Sequence, residues 1–274
     1  MSQFKVLKIK LYQPHAHYRI PFTYRRKHTY PIPPYSTVIG LLCNILGITN
    51  YEKKEEPCSN QDCDCDYHKL KDIKISIAGT FESKTTEYTW IRNLSKESHN
   101  SRFGSEESRS VSGHVEHPGG QIPNLIDILN DVYLWIYMYH EDKDFLDKIR
   151  DSFENPSKRI YPLHLGRAED WFLINEIKYV DVEVGDVGGN FGRFFWIPRE
   201  LYVCPESEFK KEFKFEKVGG ILYKVPTFYK LINGLRNFSY VEAKLNDGEI
   251  SLVNLDMELY FDQEEKLPIF LAKL

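Results

Sequence analysis

Leu7, Ile9 and Leu11 alternate with Lys8 and Lys10, the period-two pattern of a strand with one face in the core and one in water. Val38, Leu41, Leu42, Ile45 and Leu46 recur instead at steps of three and four residues, which predicts a helix with a single apolar stripe. Pro31, Pro33 and Pro34 hold the chain extended just before it. Ser36 is placed to cap it, and Gly47 suits a left-handed stop. Ile73, Ile75 and Ile77 alternate again and continue toward Phe81. Val132 to Tyr139 is almost wholly apolar and aromatic, as in a strand covered on both faces. Phe145, Leu146, Ile149 and Phe153 make a second helical stripe, with Glu141, Asp142 and Asp144 favourably placed near its start. Val180, Val182 and Val184 form a last alternating strand. The order β-α-β-β-α-β predicts an α+β chain of ferredoxin-like, split βαβ topology.

Three stretches break this pattern. Residues 50–70 are polar and charged without periodicity, an insertion. Residues 88–120 are rich in Ser, Gly, Arg and His, which predicts a large loop or a protruding hairpin. Beyond Gly185 the chain turns to glycine turns and short aromatic runs, expected as a smaller β-rich lobe over 185–274 attached to a main domain over 1–184. With 274 residues, 42% of them hydrophobic, the chain can bury a substantial core. The net charge of −4 hides an asymmetry: residues 1–50 hold seven cations and no acid, leaving −11 for the rest. No apolar leader or membrane-length span is legible, which points to a cytoplasmic protein, and five cysteines, an odd number in a long chain without a legible signal peptide, argue against a disulfide framework.

The candidate chemistry sits in the basic end. Arg19, Arg25, Arg26, Lys27 and His28 interleave with Tyr18, Tyr24 and Tyr30, combining phosphate contacts with stacking platforms as single-stranded nucleic-acid sites do. The protrusion adds Arg92, Arg102, Arg109, His114 and His117 among Glu97, Glu106 and Glu107, so it is only mildly basic. Arg167 in LGRAED follows Gly166 and precedes Glu169 and Asp170, a setting for an ion pair close to the nucleic acid. Gly188, Gly189 and Gly192 lack the lysine and the strand-to-helix context of a phosphate loop. Cys58, Cys63, Cys65 and His68 are zinc-type donors, but C-x4-C-x-C-x2-H is not a common finger spacing, and Asp62, Asp64 and Asp66 equally describe an acidic loop, so no metal or other cofactor is expected.

The run RIPF…TYPIPPYSTVIGLLCNILG together with PLHLGRAEDW at Pro162 to Trp171 resembles the fifth family of CRISPR-associated proteins, the RAMP-type subunits of Cascade. The polar insertion and the arm are most similar to the type I-B branch. The resemblance implies an RRM/RAMP-type domain with a thumb in place of the 88–120 protrusion. It also implies a non-catalytic subunit that caps the 5′ handle of the crRNA, contacts the backbone and large subunits near the PAM and meets target DNA through the complex, in antiviral defence. RNA contacts would then fall on Arg19, Tyr24, Arg25, Arg26, Lys27, His28, Tyr30, Ser36, Arg92, Arg102, Arg109, His114 and Arg167. A related branch cleaves CRISPR-repeat RNA without metal through a His, Lys and Tyr set, which makes endoribonuclease the alternative. Here His28, Lys27 and Tyr24 or Tyr30 could supply base, cation and acid. Neighbours on an extended arm point to opposite faces, however, and no Lys-His pair stands at the thumb base.

Overall fold

In the computed structural model the described residues are 4–21, 23, 26–49, 56–58, 60, 63–92, 110–111, 114–115, 121–186, 189–205, 209, 211, 213–233, 235–250 and 258–274. Four strands form its centre: β1 (Phe4–Ala16), β2 (Lys74–Arg92), β3 (Gln121–Tyr139) and β4 (Leu173–Asp186). They lie side by side in the order β2-β3-β1-β4, all antiparallel to their neighbours. Helix α1 (Tyr35–Leu46) and the short α2 (Asp66–Lys71) come between β1 and β2, and α3 (Lys143–Glu154) joins β3 to β4. The element order legible in the periodicities is therefore present, each strand running several residues beyond its apolar signature.

The stripe of α1 is buried as expected, with Val38, Leu41, Leu42, Ile45 and Leu46 packed with α3 residues onto Leu7, Ile9, Ile75, Ile77, Leu134 and Ile136. Gly47 stops the helix in the left-handed conformation (φ 73°), its N–H returning to the helix's last carbonyls. Ser36 does not cap the start. The helix begins at Tyr35, with Pro34 already extended at the cap position (φ −70°, ψ 160°), so Ser36 lies inside the first turn and its hydroxyl makes no capping bond. The indole Nε1 of Trp196 donates to the Pro33 carbonyl at 2.9 Å and pins the proline corner to the sheet. In α3 the Asp142 carboxylate does cap, accepting from the Phe145 N–H at 3.2 Å.

Among the described residues after Gly185, only the two-residue ladder of Gly189–Asn190 with Glu249–Ile250 forms a sheet apart from the central one. Strands β5 (Phe194–Pro198), β6 (Ile221–Ile232) and β7 (Leu235–Asn246) continue the central sheet beyond β2, in the order β6-β7-β5-β2, while β8 (Glu258–Asp262) and β9 (Leu267–Ile269) continue it beyond β4. The short β10 (Ala272–Lys273) also pairs with β2. A strand edge presents unpaired backbone donors and acceptors, and the C-terminal strands pair with both edges of the four-stranded core. The same segments cover the sheet face opposite the helices: Phe195, Ile197, Tyr260, Phe270 and Leu271 pack on Val6, Ala78, Trp135, Tyr137 and Val180. Lys8, expected on a solvated face, is consequently inside the protein at 0% exposure.

The protrusion is the far end of the β2–β3 hairpin. Pairing runs on from Ser83↔Asn130 to Arg92↔Gln121, with residues 82–88 exposed. A small ladder, Ser110–Val111 with His114–Val115, is the described part of its tip. Tyr88 and Trp90 stand exposed on the shaft, in edge contact at 5.9 Å between ring centroids.

Candidate nucleic-acid interface

The arm folds back as a narrow ladder, Tyr18↔Tyr30 and Arg19↔Thr29, and then lays Arg26 and Lys27 parallel to Leu125 and Ile126 at the root of the protrusion. Beneath it lies Asp127, a carboxylate with 1% side-chain exposure in the middle of β3. Arg26 Nε donates to its Oδ1 at 2.8 Å, and Thr86 Oγ1 donates to the same oxygen at 3.1 Å. His28 meets Oδ2 at 2.9 Å through Nδ1. A carboxylate only accepts, so Nδ1 carries the proton and Nε2 is left as the acceptor on a ring that is 48% exposed. Burial would raise the Asp127 carboxyl; the bonds from Arg26, His28 and Thr86 outweigh it and hold the carboxyl below its ordinary value.

A second buried carboxylate, Asp170 at 0% exposure, organises the LGRAED turn. It accepts from the backbone N–H of Arg167 at 2.8 Å and of His17 at 3.0 Å, and from Arg167 Nη2 at 2.7 Å. Gly166 adopts φ 114°, and a Cβ there would stand 2.8 Å from the Asp170 carboxylate and 3.0 Å from the His17 carbonyl, so both conformation and space require glycine. Arg167 also lies 3.3 Å from Glu169 and 3.8 Å from Glu87 on β2. Its guanidinium is thus paired with carboxylates, one of the two roles its sequence context left open.

His17 bridges the two acidic residues. Its backbone binds Asp170, and its Nδ1 reaches the Asp127 carbonyl at 2.8 Å. A carbonyl can only accept, so Nδ1 is protonated, and Nε2 is a buried lone pair without a partner among the described residues. Burial lowers the His17 pKa, the Arg167 and Arg19 charges add to the lowering, and the ring stays neutral. The arm and the LGRAED turn, some 150 residues apart, are in this way one polar network. The sequence reading missed His17, Asp127 and Thr86. The available signal was Asp127 itself, an acid inside the apolar run Leu125-Ile126-Asp127-Ile128-Leu129.

The candidate cations separate into two groups. Arg26 and Arg167 are held by buried carboxylates, whereas Arg19, which is exposed, and Lys27 have no carboxylate within ion-pair reach among the described residues. Lys27 is half-buried, and burial followed by the nearby Arg19 charge lowers its pKa. Two cations kept close without a counter-charge form a place for an anion. Tyr30 is no stacking platform: its ring is 3% exposed and wedged edge-on against Trp196 and Tyr223, and burial pushes its hydroxyl up to about 12. Ser36 lies in α1 without a capping role. Tyr24, Arg25, Arg102 and Arg109 lie outside the described residues, as do the side chains of Arg92 and His114. Gly189 and Asn190 pair with Glu249 and Ile250 as a short ladder. Cys58, Cys63, Cys65 and His68 converge some distance away in sequence, in the insertion.

An antiparallel sheet with two helices on one face, a long hairpin and a basic arm folded over its root defines a scaffold whose polar surface gathers at one end of β1. Residues 6–121, from β1 through the arm and α1 to the start of β3, match the family described as CRISPR-associated protein (Cas_Cas5). By structure the chain is similar to a component of a CRISPR RNA-guided surveillance complex, with a TM-score of 0.50 and 13% identity over 89% of this chain and 90% of that one. It is also similar to a CRISPR protein from Archaeoglobus fulgidus, with a TM-score of 0.37 and 10% identity over 94% and 91%. No curated protein matches the chain significantly by sequence. Among the described residues no helix is long and apolar enough to cross a membrane.

Proposed function

We propose that this protein is a non-catalytic RNA-binding and assembly subunit of a CRISPR effector complex of the type I Cascade kind, with its core arranged as a ferredoxin-like, RAMP-type domain. The observation that carries the reading is the family match over residues 6–121, because that segment contains the whole arm and the ascending strand of the protrusion. In this reading the arm caps the 5′ handle of the crRNA, the protrusion serves as a thumb between the RNA and a backbone subunit, and the body faces the large subunit near the PAM. The features of the type I-B branch belong to the same proposal. Arg19 and Lys27 are the phosphate ligands, because they alone of the described arm cations lack a carboxylate partner; Arg26 and His28 present their outer faces beside them.

The test is retention of labelled CRISPR-repeat RNA by the purified protein in EDTA across a salt gradient. Intact RNA should be retained, with affinity falling steeply as salt rises. Replacing both Arg19 and Lys27 by alanine should weaken binding about tenfold and flatten the salt slope by about 2. Salt-insensitive retention would sink the handle-capping role. One observation favours the alternative of a metal-independent endoribonuclease: Asp127 orients His28 with Nε2 outward, as a general base requires. Tyr30, however, is enclosed and supplies no acid. Single-site cutting in EDTA that disappears with His28→Ala would establish the nuclease instead.

A further inference from the structure

Packing explains little of the insertion between α1 and β2. Among its described residues from Glu56 to Lys71 only Tyr67 and Leu70 are buried. It nevertheless brings together the thiols of Cys58, Cys63 and Cys65 and the ring of His68, with one donor atom of each within 4.8 Å of the other three. His68 Nδ1 is 3.3 Å from Cys65 Sγ. Around a tetrahedral zinc, bonds of about 2.3 Å to sulfur and 2.0 Å to nitrogen separate the donors by roughly 3.5–3.8 Å, so the cluster needs to tighten by about 1 Å at most. The thiols are not joined to one another as disulfides.

The spacing that argued against a metal in the sequence is accommodated by the backbone. Cys65 is extended (φ −87°, ψ 162°), and on an extended segment side chains two residues apart point the same way, so Cys63 and Cys65 face one centre. His68 follows in the first turn of α2. Of the acids that suggested a merely charged loop, Asp64 is engaged with Lys69 at 3.3 Å and Asp66 with Lys148 at 2.6 Å, while Asp62 lies outside the described residues. Three thiolates and an imidazole are soft donors, suited to zinc rather than to magnesium or calcium. Four protein ligands leave no coordination position for water or substrate, which marks a structural site.

We propose that Cys58, Cys63, Cys65 and His68 bind one zinc ion and that this closed site staples the 56–71 insertion. Ordering of a segment with so little apolar core is then coupled to the metal. This inference does not depend on the RNA-binding reading.

The test is the zinc content of the full-length protein, purified with its thiols protected after expression in zinc-replete medium. About one zinc per chain is expected. It should be retained in Cys43→Ala, which changes a thiol of α1 outside the cluster, and fall at least tenfold in the double variant Cys63→Ser/Cys65→Ser. Should the double variant fail to fold, cobalt(II) replacement in the native chain decides: thiolate-to-cobalt charge transfer with tetrahedral bands supports the site. Wild-type protein without zinc, zinc undiminished by the double substitution, a different metal at full occupancy, or cobalt spectra without thiolate bands would each overturn it.

Discussion

Strand β1 carries two buried charge clusters of opposite sense. At Lys8 a fully enclosed ammonium is ringed by Glu264 at 2.9 Å, Glu176 at 3.2 Å, and Asp262 and Glu265 each at 3.3 Å. Burial would lower its pKa, but the four carboxylates outweigh burial and raise it. Nine residues along, roughly 30 Å at strand rise, His17 just past the end of β1 bridges the buried Asp170 carboxylate and the Asp127 backbone carbonyl, and the cations paired with these two acids reach toward solvent. The Lys8 cluster faces inward, an ion pair tying β1 to β4 and hydrogen bonds tying it to the β8–β9 turn. Around Asp127 the arrangement is reversed, and the outer sides of the Arg26 guanidinium and of the His28 ring are left half-open. A buried charge is tolerated only when paired, so which member of the pair is buried decides which sign the surface shows. One cluster is a clasp; the other gives the arm a fixed positive face.

Replacing Lys8 by methionine should break the comparison most severely. It leaves Asp262 buried without its cation, while Glu265 keeps Lys10 at 2.8 Å, and the loss of stability should be about 3–5 kcal/mol in urea unfolding. Asp170→Asn should cost about 2 kcal/mol by weakening the charge-assisted bonds from Arg167 and the His17 N–H, with the LGRAED turn loosened in hydrogen exchange. Arg26→Ala, at a partner that is 45% exposed, should cost only about 1 kcal/mol. Arg19→Ala with Lys27→Ala should leave stability within about 0.5 kcal/mol while reducing RNA affinity, which separates the residues that hold the arm from those proposed to bind.

Acid sharpens the same contrast. His17 is held below its ordinary value in the fold, so the unfolded chain takes up the proton first. The stability it contributes is complete above about pH 6.5 and is lost as pH falls through the lower folded value. His17→Gln should remove that part of the pH dependence in unfolding curves between about pH 7 and 5. The Lys8 ring should respond later. Glu176, Glu264 and Glu265 are all held low, Glu264 to about 2. Their contribution is therefore present above about pH 4.3 and lost only as pH falls below it.

Much of this was legible residue by residue. The stripe of α1, its Gly47 stop, the four core strands and their order around two helices follow from side chains that are neighbours in the chain, because strand and helix periods are local properties. The proline corner was legible too, although it displaced the expected Ser36 cap by fixing the extended turn at Pro34 itself. The arm was recognisable as basic and aromatic, but its residues looked equivalent. Nothing local distinguishes Arg26 from Lys27, or tells that Tyr30 is a core ring.

Those distinctions come from distant partners. Asp127 selects Arg26 and His28 across about a hundred residues, and Asp170 holds His17 across 153. The C-terminal strands join the central sheet because β2 and β4 offer unpaired edges there, and no composition shift at Gly185 records which edges are free. Lys8 reads as a solvated residue by alternation and becomes a buried one when the second layer closes over it. Periodicity settles which segments are helix or strand, since it depends on residues three or four apart. Burial and charge pairing are settled between residues a hundred or more apart, where only the closed three-dimensional chain determines what each side chain meets.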